Sequence, residues 1–203
     1  MTKVLVVNSN PKPLELSYSR QLGKHFVEQL DQVEVAQVNL YEETIPLIDG
    51  SVLDAWGKLA AGAALSDAQQ ATVARMNEIL DQFMAADVVV FEVPMWNLSY
   101  PPLLKAYIDN ITIAGRTFKY TAEGPQGLAG GKKVVLVESR GGDYTVMPAL
   151  QFTHNYMQAA MGFIGITDYS NLVVQGVNAA PDQAPALLEE AKKRAEELAK
   201  QVL

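Results

Sequence analysis

A chain of 203 residues, 49% hydrophobic and 19% charged, has the composition of a folded globular protein and can bury a core without covalent staples. A formal charge of −7 argues against a general nucleic-acid or anionic-membrane surface. The absence of cysteine excludes disulfides, thiolate metal sites, iron–sulfur clusters and a thiol nucleophile.

At roughly 150 residues per domain the length predicts one domain over 1–203. With only His25 and His154, no metal centre is expected. The opening M-T-K-V-L-V-V-N-S is too short for a signal h-region, and no apolar run reaches membrane length. Together with the lack of cysteine this predicts a cytoplasmic protein.

Residues 3–7, K-V-L-V-V, read as a strand buried on both faces. Helical spacing begins near Ser17, with Leu22, Phe26 and Leu30 on one stripe, and 33–38 reads as a second strand. Residues 39–65 read as a long loop with short helical pieces, either a lid containing Trp56 or a surface insertion. Ser66 and Gln69 form a candidate capping box before a helix carrying Val73, Met76, Ile79, Leu80 and Phe83. Residues 87–93 give a third strand, and Pro101-Pro102 opens a helix through Leu104, Tyr107, Ile108 and Ile111. Residues 117–120 suggest a short edge strand, and 124–131 are turn-rich. A fourth strand at 132–138, a helix over about 148–161, a strand within 167–174 and a helix from 181 to 203 complete the chain.

Five alternations of strand and helix predict an α/β fold: a doubly wound, five-stranded parallel sheet between two helical layers. The strand order expected is 2-1-3-4-5, the flavodoxin-like arrangement. Ligands of such sheets bind beyond the strands' carboxyl ends at the topological switch point, which directs attention to the loops after strands one, three and four.

The first loop, residues 8–20, offers Ser9, Ser17 and Ser19 as hydroxyl donors beside a helix N-terminus, a ready anion site. It has neither a nucleoside-triphosphate P-loop nor G-x-G-x-x-G, so hydroxyls and amides would hold a monophosphate; Ser17 would equally serve as a simple helix cap. The third-strand loop, P-M-W-N-L-S-Y, has the flat face of Trp96, the donor–acceptor edge of Asn97 and the soft filler Met95, unless Trp96 merely packs over the next helix. The fourth-strand loop, S-R-G-G, combines close backbone approach at Gly141 and Gly142 with the charge of Arg140, or is a tight turn with a surface arginine. A phosphate at one loop and a flat, polar-edged ring at the other two describe flavin mononucleotide, FMN.

Seven motifs occur in order along nearly the whole chain. They are Ser9 with S-Y-S at 17–19, I-P-x-x-D at 45–49, P-M-W-N at 94–97, G-x-T-F-x-Y at 115–120, G-P-x-G-L at 124–128, S-R-G-G at 139–142 and G-F-I-G-I at 162–166. In these the sequence resembles the FMN-dependent NADH-azoreductases, which are also NADH:quinone oxidoreductases. The resemblance implies a flavodoxin-like homodimer with one FMN per subunit at the dimer interface. It also implies that Ser9, Ser17, Tyr18 and Ser19 hold the FMN phosphate. Met95, Trp96, Asn97 and Leu98 would contact the ribityl chain and ring, and Ser139, Gly141 and Gly142 would line its pyrimidine end. The family often has Tyr at the position of Trp96, and some relatives carry His where this chain has Asp143-Tyr144.

The expected activity is ping-pong, two-electron transfer from NADH to quinones, and reductive cleavage of aromatic azo compounds to amines. The cofactor carries the redox chemistry, so no catalytic side chain is assigned. Phe118, Tyr120, Tyr144 and Phe163 are candidates for a flat aromatic substrate pocket, or for ordinary core packing. The rivals are another flavodoxin-like NAD(P)H-dependent FMN or drug reductase and a non-enzymatic flavodoxin-type electron carrier. A response-regulator-like domain would need an acidic cluster at the strand ends, and strand one ends in Asn8 without one.

Overall fold

The computed structural model describes residues 1–202. The chain opens with β1 (Thr2–Asn8), α1 (Tyr18–Glu28) and β2 (Val33–Asn39). Next come α2 (Gly50–Ala60), α3 (Asp67–Ala85), β3 (Val88–Pro94) and α4 (Pro102–Ile111). A small hairpin follows, β4 (Phe118–Thr121) and β5 (Gly124–Gly127), and then β6 (Lys133–Arg140), α5 (Phe152–Phe163), β7 (Asp168–Gln175) and α6 (Ala184–Val202).

The five long strands form one sheet in the order β2-β1-β3-β6-β7, and each neighbouring pair is parallel. With the β4–β5 hairpin set aside, this is the expected 2-1-3-4-5 order. All seven residues of the central β3 are buried, because helices cover both faces of the sheet. Val89, Phe91 and Val93 meet Ile79, Leu80 and Phe83 of α3 and Leu104, Tyr107 and Ile108 of α4 on one side. Val88 and Val90 meet Leu22 and Phe26 of α1 and Leu188, Ala191 and Ala195 of α6 on the other. Each large apolar side chain sealed in these layers contributes about 1.5–3 kcal/mol of transfer free energy.

Two segments differ from expectation. Residues 50–60 are a full helix, α2, where a loop with helical fragments was predicted. Asp49 caps it by accepting the Val52 N–H at 2.9 Å, and Val52 and Ala55 are its buried stripe. The predicted capping box of α3 is present at Ser66 and Gln69. Gln69 also fastens α2, donating to Asp54 Oδ2 at 2.7 Å and accepting from Lys58 Nζ at 3.2 Å.

The strand expected at 117–120 does not edge the main sheet. It pairs antiparallel with β5, in the region read as turn, to make a separate two-stranded sheet. Gly-Pro-Gln-Gly has poor strand propensity, so tertiary docking imposes the conformation. Leu128 N–H donates to Thr117 C=O at 2.8 Å, and Ala129 N–H donates to Ile164 C=O at 2.8 Å, tying the hairpin to the end of α5.

Candidate active site

Parallel strands deliver their carboxyl ends to one edge, and the loops after β1, β3 and β6 meet there. Met95 N–H donates to Ser139 C=O at 2.8 Å, joining the β3 and β6 loops, while Ser9 N–H donates to Glu92 C=O at 3.0 Å, joining the β1 loop to β3.

The phosphate end is built from α1 outward. Ser9, Ser17 and Ser19 are all buried. Ser17 caps α1 by accepting the Arg20 N–H at 3.3 Å, and its hydroxyl lies 3.3 Å from that of Ser19. The Tyr18 side chain is partly buried and packs against the core beneath α1. The Tyr18 and Ser19 N–H groups, first in the helix, have no acceptor among the described residues. Two hydroxyls and two open N–H groups at the positive end of a helix are a donor set for an anion. Ser17 is therefore both cap and candidate donor.

Sequence reasoning missed Asn10, which is buried and donates to Ser17 Oγ at 2.8 Å. Its Oδ1 accepts the Lys12 N–H at 3.1 Å, and Arg20 Nη1 donates to Lys12 C=O at 2.7 Å. The loop over the helix start is thus braced from within.

The ring end is a tight turn. Trp96 and Ser99 exchange backbone hydrogen bonds of 2.7 and 2.9 Å. Asn97 and Leu98 between them have φ of 49° and 66°. Left-handed backbone costs a non-glycine residue roughly 1–2 kcal/mol, and such strain gathers where a ligand needs a particular backbone. Trp96 is 38% exposed, with Tyr41 of the loop after β2 packed at 6.4 Å between ring centroids. Tyr41 lay outside the three loops that topology singled out.

The S-R-G-G loop is held by the segment after β7. Gly141 C=O accepts the N–H groups of Asn178 and Ala179, both at 3.0 Å, and Gly142 C=O accepts the Gly176 N–H at 3.1 Å. A Cβ on Gly141 would lie 2.7 Å from Asn178 Nδ2, so this approach requires glycine unless Asn178 moves. Arg140 does not present its charge to the loop: it is 2% exposed and donates to Glu138 Oε2 at 2.7 Å. Glu138 also accepts the Thr153 hydroxyl from α5. Residues two apart on a strand share a face, and this face lies under α5.

Of the four aromatic pocket candidates, three come together. Phe118 packs on Phe163 at 4.7 Å and on Tyr120 at 5.4 Å between centroids; Phe118 is buried and Tyr120 is 75% exposed. Tyr144 stands beside Gly142 in the loop after β6, outside this cluster. A cavity of about 410 Å³, lined by Ser99, Tyr100, Lys105, Phe152, Asn155 and Tyr156, adjoins the Trp96 turn. Tyr100 and Tyr156 pack there at 5.6 Å between centroids with their rings tilted by 54°, and burial pushes the Tyr100 phenol well above its ordinary range. Phe152 and Tyr156, one turn apart on α5, were the overlooked signal. Among the described residues no group of acidic and histidine side chains could hold a metal, and no helix is long and apolar enough to cross a membrane.

A family model described as a flavodoxin-like fold matches residues 2–199. An FMN-dependent NADH:quinone oxidoreductase of Bacillus thuringiensis subsp. konkukian is 46% identical over 98% of this chain and 99% of its own. One from Staphylococcus aureus is 44% identical over 98% and 99%. A crystal structure of an FMN-dependent NADH-azoreductase from Bacillus anthracis in complex with FMN superposes with a TM-score of 0.92 at 36% identity, covering 99% of both chains. With near-complete coverage at these identities, the chain belongs to the flavodoxin-like enzyme family that contains the FMN-dependent NADH:quinone oxidoreductases and azoreductases.

Proposed function

We propose that this protein binds FMN and uses NADH to reduce quinones by two electrons and to cleave aromatic azo compounds to amines, by a ping-pong mechanism. The observation that carries the reading is the donor set at the start of α1, two open N–H groups beside the Ser17 and Ser19 hydroxyls, on the same sheet edge as the strained turn at Trp96. Ser17, Tyr18 and Ser19 would hold the phosphate, while Ser9, expected there from the sequence, gives both its N–H and its hydroxyl to the Glu92 carbonyl and braces the loop. Met95 to Leu98 would hold the ribityl chain and ring, and Ser139, Gly141 and Gly142 the pyrimidine edge. Bound FMN would supply the two-electron exchange between nicotinamide and acceptor.

The chain's own part is to bind, orient and exclude water. The positive end of α1 suits a phosphate dianion. Asn97 offers donor and acceptor to a heteroaromatic edge, and Trp96 a flat apolar wall. Arg140, neutralised inside by Glu138, acts on loop position and not on cofactor charge. Phe118, Tyr120 and Phe163 form an apolar shelf suited to a flat acceptor, with Tyr144 at the pyrimidine side.

Exposed Tyr120, Val146, Phe152 and Phe163 favour a second copy of the chain covering this region, so we read the protein as a homodimer. We assign it to the cytoplasm.

Anaerobic spectroscopy tests the function. Purified protein supplied with FMN should show flavin absorbance that bleaches with NADH and returns with a quinone. Initial rates at several quinone concentrations should give parallel double-reciprocal lines. Protein that retains no flavin would overturn the reading. Flavin that stays oxidised with NADH and NADPH alike would point to an electron carrier.

A further inference from the structure

We propose that Glu92 is a further determinant of the phosphate end of the site, its side chain holding a proton in step with a phosphate monoester at the start of α1. This rests on the FMN reading above and adds a residue that reading leaves out.

Glu92 lies near the carboxyl end of β3, and its two halves work on either side of the first loop. Its backbone carbonyl accepts both the N–H of Ser9, at 3.0 Å, and the Ser9 hydroxyl, at 2.9 Å. Its side chain runs beneath α1 and ends against Gly23, where a Cβ would lie 2.4 Å from Oε1. Glycine at 23 therefore makes room for the carboxyl. The residue is 4% exposed, and no hydrogen-bond donor reaches the carboxyl among the described residues.

The charged groups that face it all come from α1: Arg20, Lys24 and Glu28. Lys24 and Glu28 pair with each other, and Arg20 is engaged by the Lys12 carbonyl. β1 and β2 bring Val6, Val35 and Gln37, none of them ionisable. A phosphate on the Tyr18 and Ser19 amides and an ionised Glu92, set against Gly23 farther along the same helix, would repel each other through α1. Like charges there raise each other's energy, so the protonated carboxyl binds phosphate more tightly. Burial already pushes Glu92 up to about 8 in the free protein, with Arg20 opposing. Phosphate affinity therefore falls as pH rises past that value, clear of the second ionisation of a phosphate ester near about 6.

Flavin fluorescence quenching on apoprotein measures this for FMN and for riboflavin, which has no phosphate. Between pH 7 and 9.5 the wild-type Kd for FMN should rise roughly tenfold, the effect of one pKa unit of coupling. In Glu92→Gln it should change less than about twofold over the same range. Riboflavin affinity should be flat in both proteins. The same FMN slope in Glu92→Gln, or an equal slope for riboflavin, overturns the proposal. A second measurement needs no variant: calorimetry of wild-type protein at pH 8 in two buffers of different ionisation enthalpy. It should show proton uptake with FMN and none with riboflavin; absence of uptake with FMN overturns the proposal. FMN that fails to bind wild-type protein at any pH overturns the FMN reading itself, a result distinct from FMN that binds without proton linkage.

Discussion

Gly127 and Gly165 pass so closely that a Cβ on Gly127 would lie 2.2 Å from the Gly165 nitrogen and 2.3 Å from the Ile164 carbonyl carbon. Both obstacles are backbone, and Gly165 is itself at φ +96°, so neither side yields cheaply. This crossing docks the hairpin that carries Phe118 and Tyr120 onto the end of α5, where Phe163 sits. Gly127→Ala should destabilise the protein by about 1–3 kcal/mol in urea unfolding, in the overpacking range. Gly57, inside α2 with nothing within 4 Å of a Cβ, is the opposite case. Gly57→Ala should stabilise by about 0.5–1 kcal/mol through helix propensity alone.

Ser17 joins two effects that one substitution separates by readout. Ser17→Ala removes the N-cap of α1 and should cost about 1 kcal/mol of stability. It should also weaken FMN binding roughly ten- to hundredfold, the worth of a hydrogen bond to a charged group. Riboflavin titration separates the two, since a loss equal to that for FMN would mean only that the helix start had loosened.

The Glu138–Arg140 pair is sealed under α5, so breaking it from one side strands a charge. Arg140→Met should cost about 3–5 kcal/mol, because Glu138 is left buried and unpaired. Combining it with Glu138→Gln, which retains an acceptor for Thr153, should recover most of the loss. Urea unfolding of the two single variants and the double variant closes the cycle; additive losses would show that the pair is not a unit.

Glu92 makes stability itself pH-dependent. Its folded pKa is raised, so between the unfolded carboxyl value of 4.5 and about 8 the native state holds a proton that the unfolded state has lost. Stability of wild-type apoprotein should therefore fall as pH rises through that window, by roughly 1.4 kcal/mol per unit at most relative to Glu92→Gln. Below the window both states are protonated and the term vanishes. Denaturation midpoints at pH 5.5, 6.5 and 7.5 for the two proteins test it, and parallel curves would contradict it.

How much of this was legible in the sequence depended on whether the cause was local. β1, β3 and β6 were readable because burial on both faces leaves uninterrupted runs such as Val88 to Phe91. The cap at Ser66 and the helix start at Ser17 were readable because a cap is a contact within four residues. α2 was obscured by exposed Leu53 and Leu59 and by its alanines and glycines, though Asp49 was a cap signal in plain view. β5 carries no strand composition at all and exists through its contact with Gly165. Arg140 was drawn toward the ligand because the sequence cannot say which face of β6 lies under Thr153. Tyr41 and the Tyr100–Tyr156 pair enter through contacts between segments more than fifty residues apart in the chain.

The brace on Ser9 runs through the main-chain carbonyl of residue 92, and every amino acid has that carbonyl. The position of the phosphate loop is thus indifferent to which side chain stands at 92, while the charge beneath the helix is set by that side chain alone. One residue separates inheritance of shape from inheritance of chemistry. Drift at this site, matched only by the room available at residue 23, can retune how tightly a cofactor is kept in acid or alkaline surroundings without redrawing the loop that receives it.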